Sequence, residues 1–185
     1  MKNTSRLLRL SLVALAATAS VIGLRAADLD AAVQAKVDAK LADIKTWAAD
    51  PVLVAAVAAH NAQLPADQAA MTQEKWKALS LLDPFIRGFA KNEAGAILKA
   101  KKADWTAEIF LSDAKGYKVA FLAKTSSWCH AGSPKHDVPM TGKSWEGAVA
   151  VDESTGLQQL QVAVPVLQDG KAIGSLVVGL SLSKL

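Results

Sequence analysis

Residues 124–137, KTSSWCHAGSPKHD, collect the residue types in this chain that most often do chemistry. They include the only cysteine, two of the three histidines and one of the five tryptophans. A thiol close to imidazoles can serve as a nucleophile with its base, as part of a zinc site, or as the lining of a pocket that only binds. Each use requires a different spacing of the residues.

The spacing argues against the first two uses. Cys129 and His130 are adjacent, so in extended chain their side chains point to opposite sides, and His130 is poorly placed as a base for the thiol. The candidate zinc ligands match no closed zinc motif; they are Cys129, His130, His136 and Asp137. Haem attachment would need a second cysteine before Cys129. We therefore expect no catalytic residue, no metal and no cofactor.

A ligand pocket places fewer requirements on the residue spacing in this segment than a catalytic or metal site does. An aromatic wall from Trp128 and hydroxyl groups from Thr125 and Ser126 are the usual components of a small-molecule site. The alternative is that Trp128 fills the core, and Cys129 then packs as a small apolar residue. The full set of candidate ligand-binding residues is Trp128, Thr125, Ser126, Arg87, Tyr117, His130 and Asp152. Arg87, which lies in an apolar helical stretch, is included because its guanidinium could hold a carboxylate bidentately.

The N-terminal residues read as an export signal. Residues 1–26 combine a basic start, a short apolar run and a small-residue exit near Ala26, the pattern of a secretory signal peptide. An uncleaved anchor is the alternative. We expect a periplasmic or secreted protein without a membrane span after signal removal, and a single domain over residues 27–185.

Removal of this signal changes the charge of the chain. It takes Lys+Arg from 21 to 17, against 17 Asp+Glu. A neutral chain offers no case for nucleic acid, which requires clustered cations. One cysteine cannot form an internal disulfide, so the fold must depend on its hydrophobic core.

The first half of the mature chain, residues 27–104, predicts mainly helices. Apolar residues recur every three or four positions over residues 29–47, which places them on one helical face. Asp50 and Pro51 end this helix and begin another, because aspartate caps a helix and proline suits its first position.

Two more helices are predicted by the same start signals. Thr72 can cap a helix that carries Trp76, Leu79 and Leu82. Asp83-Pro84 repeats the aspartate–proline signal, and the apolar stripe that follows continues to residue 98.

The second half, residues 105–185, predicts mainly antiparallel sheet. The apolar period changes from helical to two after residue 105, and five strands follow, most of them joined by tight turns. The predicted turns are 112–116, 154–156 and 169–170. Residues 124–137 form the one long connection, which we expect to be a loop. Segregated helices and strands of this kind indicate an α+β fold.

Several segments resemble the extracytoplasmic PAS-like sensor domains called Cache or PDC domains. The resemblance is carried by EIFLSDAKGYKVAFLAKTSSW, GAVAVDESTG and LQVAVPVLQDGKAIGSLVVGLSLSKL, in this order, and by WAADPVLVAAVAAHN before them. It covers residues 30–185. It implies a five-stranded antiparallel sheet behind a long N-terminal helix, further helices on one face, and a pocket between the sheet and the long loop.

The resemblance also implies a function. Members of the family sense small molecules outside the cytoplasm, often as input domains of chemoreceptors or histidine kinases. Relatives carry acidic residues in the long loop, whereas residues 125–133 of this chain contain none and include Cys129-His130, so the ligand preference of relatives does not transfer. We expect a standalone, non-enzymatic domain that binds a small molecule and acts through a membrane receptor or histidine kinase.

Two alternatives remain open at the level of sequence. One is an interaction module with a filled pocket, which forms a homodimer through its N-terminal helix. The other is a redox or metal sensor that uses Cys129. Small residues opposite the loop, such as Gly174, Ser175 and Gly179, would favour a ligand.

Overall fold

The structure, a computed structural model, describes residues 29–151 and 158–185. The expected signal peptide, the expected turn at 154–156 and the candidate residue Asp152 lie outside the described residues. Within the described part, no helix combines the length and the apolar character needed to cross a membrane.

The helices begin where the start signals predicted. Asp50 caps α2, Thr72 caps α4 and Asp83 caps α5, each with a side-chain oxygen that accepts a backbone N–H of the first turn. These caps satisfy donors that would otherwise have no partner at a helix start. The α-helices are α1 Ala31–Ala48, α2 Pro51–Ala62, α3 Ala66–Ala69, α4 Gln73–Ala78, α5 Pro84–Lys91, α6 Glu93–Lys101 and α7 Pro134–Met140.

Two helices are shorter than the apolar pattern predicted. α4 ends at Ala78, and Leu82, expected on its buried stripe, is 77% exposed. The stripe after Pro84 is divided between α5 and α6 at Asn92, whose side chain accepts the N–H of Gly95 and so starts a new helix. Periodicity predicted one continuous apolar stripe, but α5 and α6 bury their residues in two different apolar clusters, and the helix is interrupted between them.

The sheet confirms the predicted fold class, α+β with one five-stranded antiparallel sheet behind a long first helix. The strand order is β2-β1-β5-β4-β3, and every pairing is antiparallel. The strands are β1 Thr106–Asp113, β2 Lys118–Phe121, β3 Trp145–Val151, β4 Gln158–Gln168 and β5 Lys171–Ser181. The turn predicted at Asp169-Gly170 is present, with φ of 51° and 76°, which suits a tight hairpin.

The two faces of the sheet have separate cores. On the inner face, α1 and α2 cover the aliphatic residues of β1, β4 and β5, and α6 packs against α2 and β2. On the outer face, an aromatic cluster from α4, α5 and residue Trp128 covers Phe110, Phe121, Ala163 and Val177. A single strand can contribute side chains to both cores, because successive side chains point to opposite faces of the sheet.

The long connection is only partly a loop, which corrects the expectation for residues 124–137. Pro134–Met140 forms α7, with Pro134 in its first turn, and α7 lies against β3, β4 and β5. Ser133-Pro134 carried the same start signal as the other helices, but the helix is too short for a periodic stripe. We call residues 124–140 the covering segment.

The covering segment meets the β1–β2 turn at Gly116. A Cβ at Gly116 would lie 2.5 Å from the backbone nitrogen of Ala131, and its φ is +83°. Gly132 has a similar φ of +81°, but a Cβ there would meet nothing within 4 Å. Gly132→Ala therefore tests backbone strain alone, whereas Gly116→Ala adds a collision with backbone.

We expect Gly116→Ala to lower the free energy of unfolding by roughly 1–3 kcal/mol more than Gly132→Ala, because overpacking adds to the strain. Urea denaturation of the two variants measures the difference. Equal losses of stability in the two variants would mean that the covering segment does not pack against Gly116.

Candidate ligand-binding site

On the outer face of the sheet, three buried polar residues lie beside the aromatic cluster. We call these residues, Ser112, Lys118 and Ser175, the polar floor. Ser112 of β1 pairs with Ser175 of β5 on one side and with Lys118 of β2 on the other. All three residues are 0% exposed. Buried polar groups cost free energy unless they are hydrogen-bonded, so three in a row need an explanation.

Lys118 is the most unusual member of the floor. Its Nζ contacts Nδ1 of His130, lies 3.4 Å from Oγ of Ser112 and sits 3.9 Å from the centre of the Phe110 ring. Among residues 29–151 and 158–185, no carboxylate oxygen lies within 4 Å of this Nζ. A buried lysine normally has a carboxylate partner. Lys118 has a ring nitrogen, a hydroxyl group and an aromatic face instead.

Two histidines of the covering segment, His130 and His136, lie over this floor. The ring of His130 stacks on Phe110, with 4.8 Å between ring centres and 18° between planes. Nδ1 of His136, in α7, is 2.8 Å from Oγ of Ser175, and its Nε2 is 3.4 Å from the Ala114 carbonyl. Both imidazoles are buried. The floor and the segment therefore enclose a compact set of nitrogen and hydroxyl groups.

Burial, and for Lys118 and His130 the repulsion of neighbouring cations, lowers the pKa values of these nitrogens. Burial and the charge of Lys135 lower the pKa of Lys118 well below its ordinary value. Burial, followed by the charges of Lys118, Lys135 and His136, lowers the pKa of His130 to about 3. Burial also lowers the pKa of His136 and of Lys135. A cleft group with its pKa displaced by burial and a specific partner is a functional-site candidate.

The low pKa of His130 predicts acid sensitivity of the fold. An unfolded histidine titrates near about 6.5, and folded His130 titrates at about 3. Between these two pH values the unfolded state binds a proton at this histidine and the folded state does not. The stability that is present above about pH 6.5 is therefore lost as the pH falls towards about 3.

We expect the free energy of unfolding to fall less steeply with acidification in His130→Gln than in the unmodified chain. Urea denaturation at neutral and mildly acidic pH checks this. His60, whose pKa is raised, acts in the opposite direction in both proteins, so the comparison cancels it. Parallel pH profiles would contradict a neutral, buried His130.

Trp128 lies at the edge of this site, inside the aromatic cluster. Its side chain is 3% exposed and contacts the rings of Trp76, Phe85, Phe89 and Tyr117. Its indole Nε1 is buried and has no hydrogen-bond partner among the described residues. Trp128 thus fills the core and also presents an unused donor.

The other predicted residues are dispersed. Tyr117 stacks on Trp128, with ring centres 5.7 Å apart, and pairs with Cys129 through an isolated bridge. The Thr125 hydroxyl donates to the Ser127 carbonyl, while Ser126 is exposed. Arg87 is exposed on α5. The structure brings Trp128 and Tyr117 together and places His130 over the floor, and ligand contacts by any of the seven candidates stay a prediction.

Sequence reasoning missed the floor itself. Lys118 and Ser112 resemble ordinary polar positions of a half-exposed hairpin, and His136 was not among the predicted ligand-binding residues. The usable signal was Ser175, one polar residue inside the apolar final strand. Of the small residues proposed to line a pocket, Ser175 faces His136, whereas a Cβ at Gly174 would meet Val57 of α2.

Cys129 is half-buried beside the site. Its thiol donates to the Lys115 carbonyl at 3.3 Å, and the Ala131 N–H donates to its sulfur at 3.4 Å. In the part of the chain that the structure describes, no three His, Cys, Asp or Glu residues gather as a metal site would require. The four zinc-ligand candidates are therefore not assembled there.

His60 has a structural partner on the opposite side of the β1–β2 turn. Its Nδ1 is 2.9 Å from Oδ2 of Asp113, and its Nε2 is 2.6 Å from Oε1 of Gln68. Burial lowers the pKa of His60, but the hydrogen bonds and the Asp113 charge outweigh it, so the pKa is raised. The other oxygen of Asp113 accepts the N–H groups of Lys115 and Tyr117, which fixes the turn that carries Lys118.

Two adjoining cavities lie away from the floor. One of about 330 Å³ lies between Pro65 and α5, and one of about 360 Å³ lies beside His60 and Val119. Pro65, Gln68 and Asn92 line both. Neither includes a residue of the covering segment, and the floor itself is closed, since Ser112, Lys118 and Ser175 have no exposed surface.

No protein-family model and no curated protein matches the chain. Solved structures do. The sensor domain of the V. cholerae histidine kinase DctB is 18% identical, with a TM-score of 0.47 over 82% of this chain and 53% of that one. The ligand-binding domain of the Campylobacter jejuni chemoreceptor Tlp3, in complex with 4-methylisoleucine, is 14% identical, with a TM-score of 0.44 over 81% and 54%.

A third match is the ligand-binding domain of the Pseudomonas aeruginosa PAO1 amino acid chemoreceptor PctC, in complex with GABA. It is 16% identical, with a TM-score of 0.37 over 80% of this chain and 62% of that one. All three are sensor or ligand-binding domains. They are of the PDC/Cache-like type that the sequence resembles, and this chain spans little more than half the length of the first two. Such distant likeness concerns fold type, and the proposal below depends on the residues of this chain.

Proposed function

We propose that this chain is an extracytoplasmic sensor domain that binds a small molecule between the outer face of its sheet and the covering segment. The observation that carries the proposal is Lys118, fully buried without a carboxylate partner among the described residues. Burying an amine in this way costs several kcal/mol if it is charged. A ligand oxygen at Nζ would supply the missing partner and recover part of that cost.

The surrounding groups indicate the chemistry of the ligand. Lys118 and the hydroxyl groups of Ser112 and Ser175 offer donors to a ligand. Phe110 supplies an apolar wall. The acids near the site are already engaged, since Asp113 binds His60 and Glu108 accepts from Gln161. A ligand with acceptor oxygens and no ammonium group fits this arrangement best.

The chain would bind without turnover and would pass its signal to a separate membrane receptor or histidine kinase. Export to the periplasm or beyond follows from the basic and apolar character of residues 1–26. A homodimer through α1 is less well supported. The described exposed face of α1 offers alanines and charged residues, such as Lys36 and Asp43, rather than large apolar side chains.

Native mass spectrometry of the protein as purified, followed by calorimetry with small carboxylates and hydroxy acids, tests the proposal. Ser175→Ala removes a floor hydroxyl and should weaken binding about tenfold, the value of one hydrogen bond to a charged group. Ser144→Ala is the matched control, because Ser144 lines a different cavity near α1. Absence of any ligand, or equal binding by both variants, would overturn the proposed site.

A further inference from the structure

Lys118 has the environment of a nucleophilic amine as well as that of a binding group. Its Nζ is held between the Phe110 ring and the His130 imidazole, with no exposed surface. Lysine amines become nucleophiles when an apolar pocket removes water from them or when a second cation lies nearby. Lys118 meets the first condition.

Lys135 meets the second. Its Nζ lies 5.8 Å from the centre of the same Phe110 ring that Lys118 approaches, and it donates to Oε1 of Gln161 at 2.9 Å. The two amines therefore share one aromatic surface. Burial and the Lys135 charge displace the pKa of Lys118 downwards, while the charges of Cys129, Glu108 and Asp113 oppose this only in part. These effects favour the uncharged form of the Lys118 amine, which is the nucleophilic form.

We propose that Lys118 captures a small 2-oxo acid as a reversible imine; this inference depends on the proposed ligand site. The Nζ lone pair adds to the ketone or aldehyde carbon, and the carbonyl oxygen becomes the hydroxyl of a carbinolamine. Loss of that hydroxyl as water forms the C=N bond, so amine and carbonyl give imine and water. No oxidant or reductant takes part.

The neighbouring side chains have defined places in this capture. The Nδ1 of His130 contacts Nζ and places a hydrogen-bond acceptor beside the amine while its proton passes from nitrogen to the departing hydroxyl. Lys135 supplies a cation for the ligand carboxylate, a group that a simple aldehyde lacks. This second cation is the reason for assigning a 2-oxo acid.

Borohydride trapping tests the inference directly. The full chain is incubated with pyruvate or glyoxylate and reduced, and the intact mass and peptide map are recorded. We expect one reduced adduct, located on Lys118. Lactate, which has the carboxylate but no carbonyl group, should leave the mass unchanged.

Substitutions test whether Lys118, rather than another lysine, forms the adduct. Lys118→Arg keeps a long nitrogen-bearing side chain but cannot form an imine, and Lys118→Met keeps the volume; both should lose the adduct. Lys115→Arg, at an exposed lysine in the adjoining turn, should keep it. Circular dichroism confirms folding, and the peptide map of the unmodified chain gives an answer even if a variant fails to fold.

Two results would overturn the inference. One is an adduct spread over surface lysines, and the other is an unchanged mass after reduction. If pyruvate and lactate both raise the melting temperature but no adduct forms, ligand binding stands and imine formation is wrong. If neither compound binds or reacts, the inference is wrong, and the calorimetric screen decides the proposed function separately.

Discussion

Lys118→Met should make the folded protein more stable and at the same time weaken ligand binding. Methionine fills a similar volume without a polar amine, and burying a polar group whose hydrogen bonds are incomplete costs roughly 1–3 kcal/mol, which the substitution removes. Loss of the donor should weaken binding of an anionic ligand about tenfold to a hundredfold, the value of a charged hydrogen bond. Urea denaturation and calorimetry measure the two effects.

Lys115→Met is the matched control for this substitution. Lys115 is exposed in the adjoining turn, so its replacement should change stability by less than about 0.5 kcal/mol and leave binding unchanged. A marked loss of stability in Lys118→Met would show instead that the contacts of Lys118 with His130 and Ser112 hold the fold together. The site would then be structural.

Trp128→Ala should cause the largest loss of stability of any substitution in the covering segment. The side chain touches four aromatic rings and is 3% exposed, so its removal leaves a cavity and should cost about 3–5 kcal/mol. Binding should also fall about thirtyfold, as for truncation of a pocket aromatic residue. Thermal denaturation and calorimetry at low temperature separate the two losses.

Trp128→Phe distinguishes the core role from the binding role. Phenylalanine retains most of the packing but removes Nε1, the buried donor with no partner among the described residues. We expect a much smaller loss of stability than with alanine, and weaker binding if a ligand accepts from Nε1. Cys129→Ser should leave binding within a few-fold. A reversal of this order would favour the redox or metal alternative.

Local signals in the sequence predicted the framework of this site. Asp50, Thr72 and Asp83 start helices because their side chains accept N–H groups one turn ahead, a purely local effect. Asp169-Gly170 turns a hairpin because both residues adopt positive φ. These contacts span a few residues, so composition and spacing reveal them.

The polar floor could not be predicted in this way, because its members meet only in three dimensions. Lys118 alternates with apolar neighbours and looks like a solvent-facing residue of a short edge strand. It is buried because the covering segment, more than ten residues further along, brings His130 onto Phe110. The link from His60 to Asp113 spans 53 residues and is invisible to periodicity for the same reason.

Complete burial of Lys118 has a kinetic consequence. A ligand cannot reach Nζ by diffusion into the closed protein, so the covering segment must first separate from Phe110 and Gly116. The association rate would then level off at high ligand concentration, at the rate of that opening, and the apparent affinity would be reduced by the fraction of molecules that are open. Amide hydrogen exchange at His130, whose N–H donates to the Gly116 carbonyl at 3.0 Å, would report the same opening.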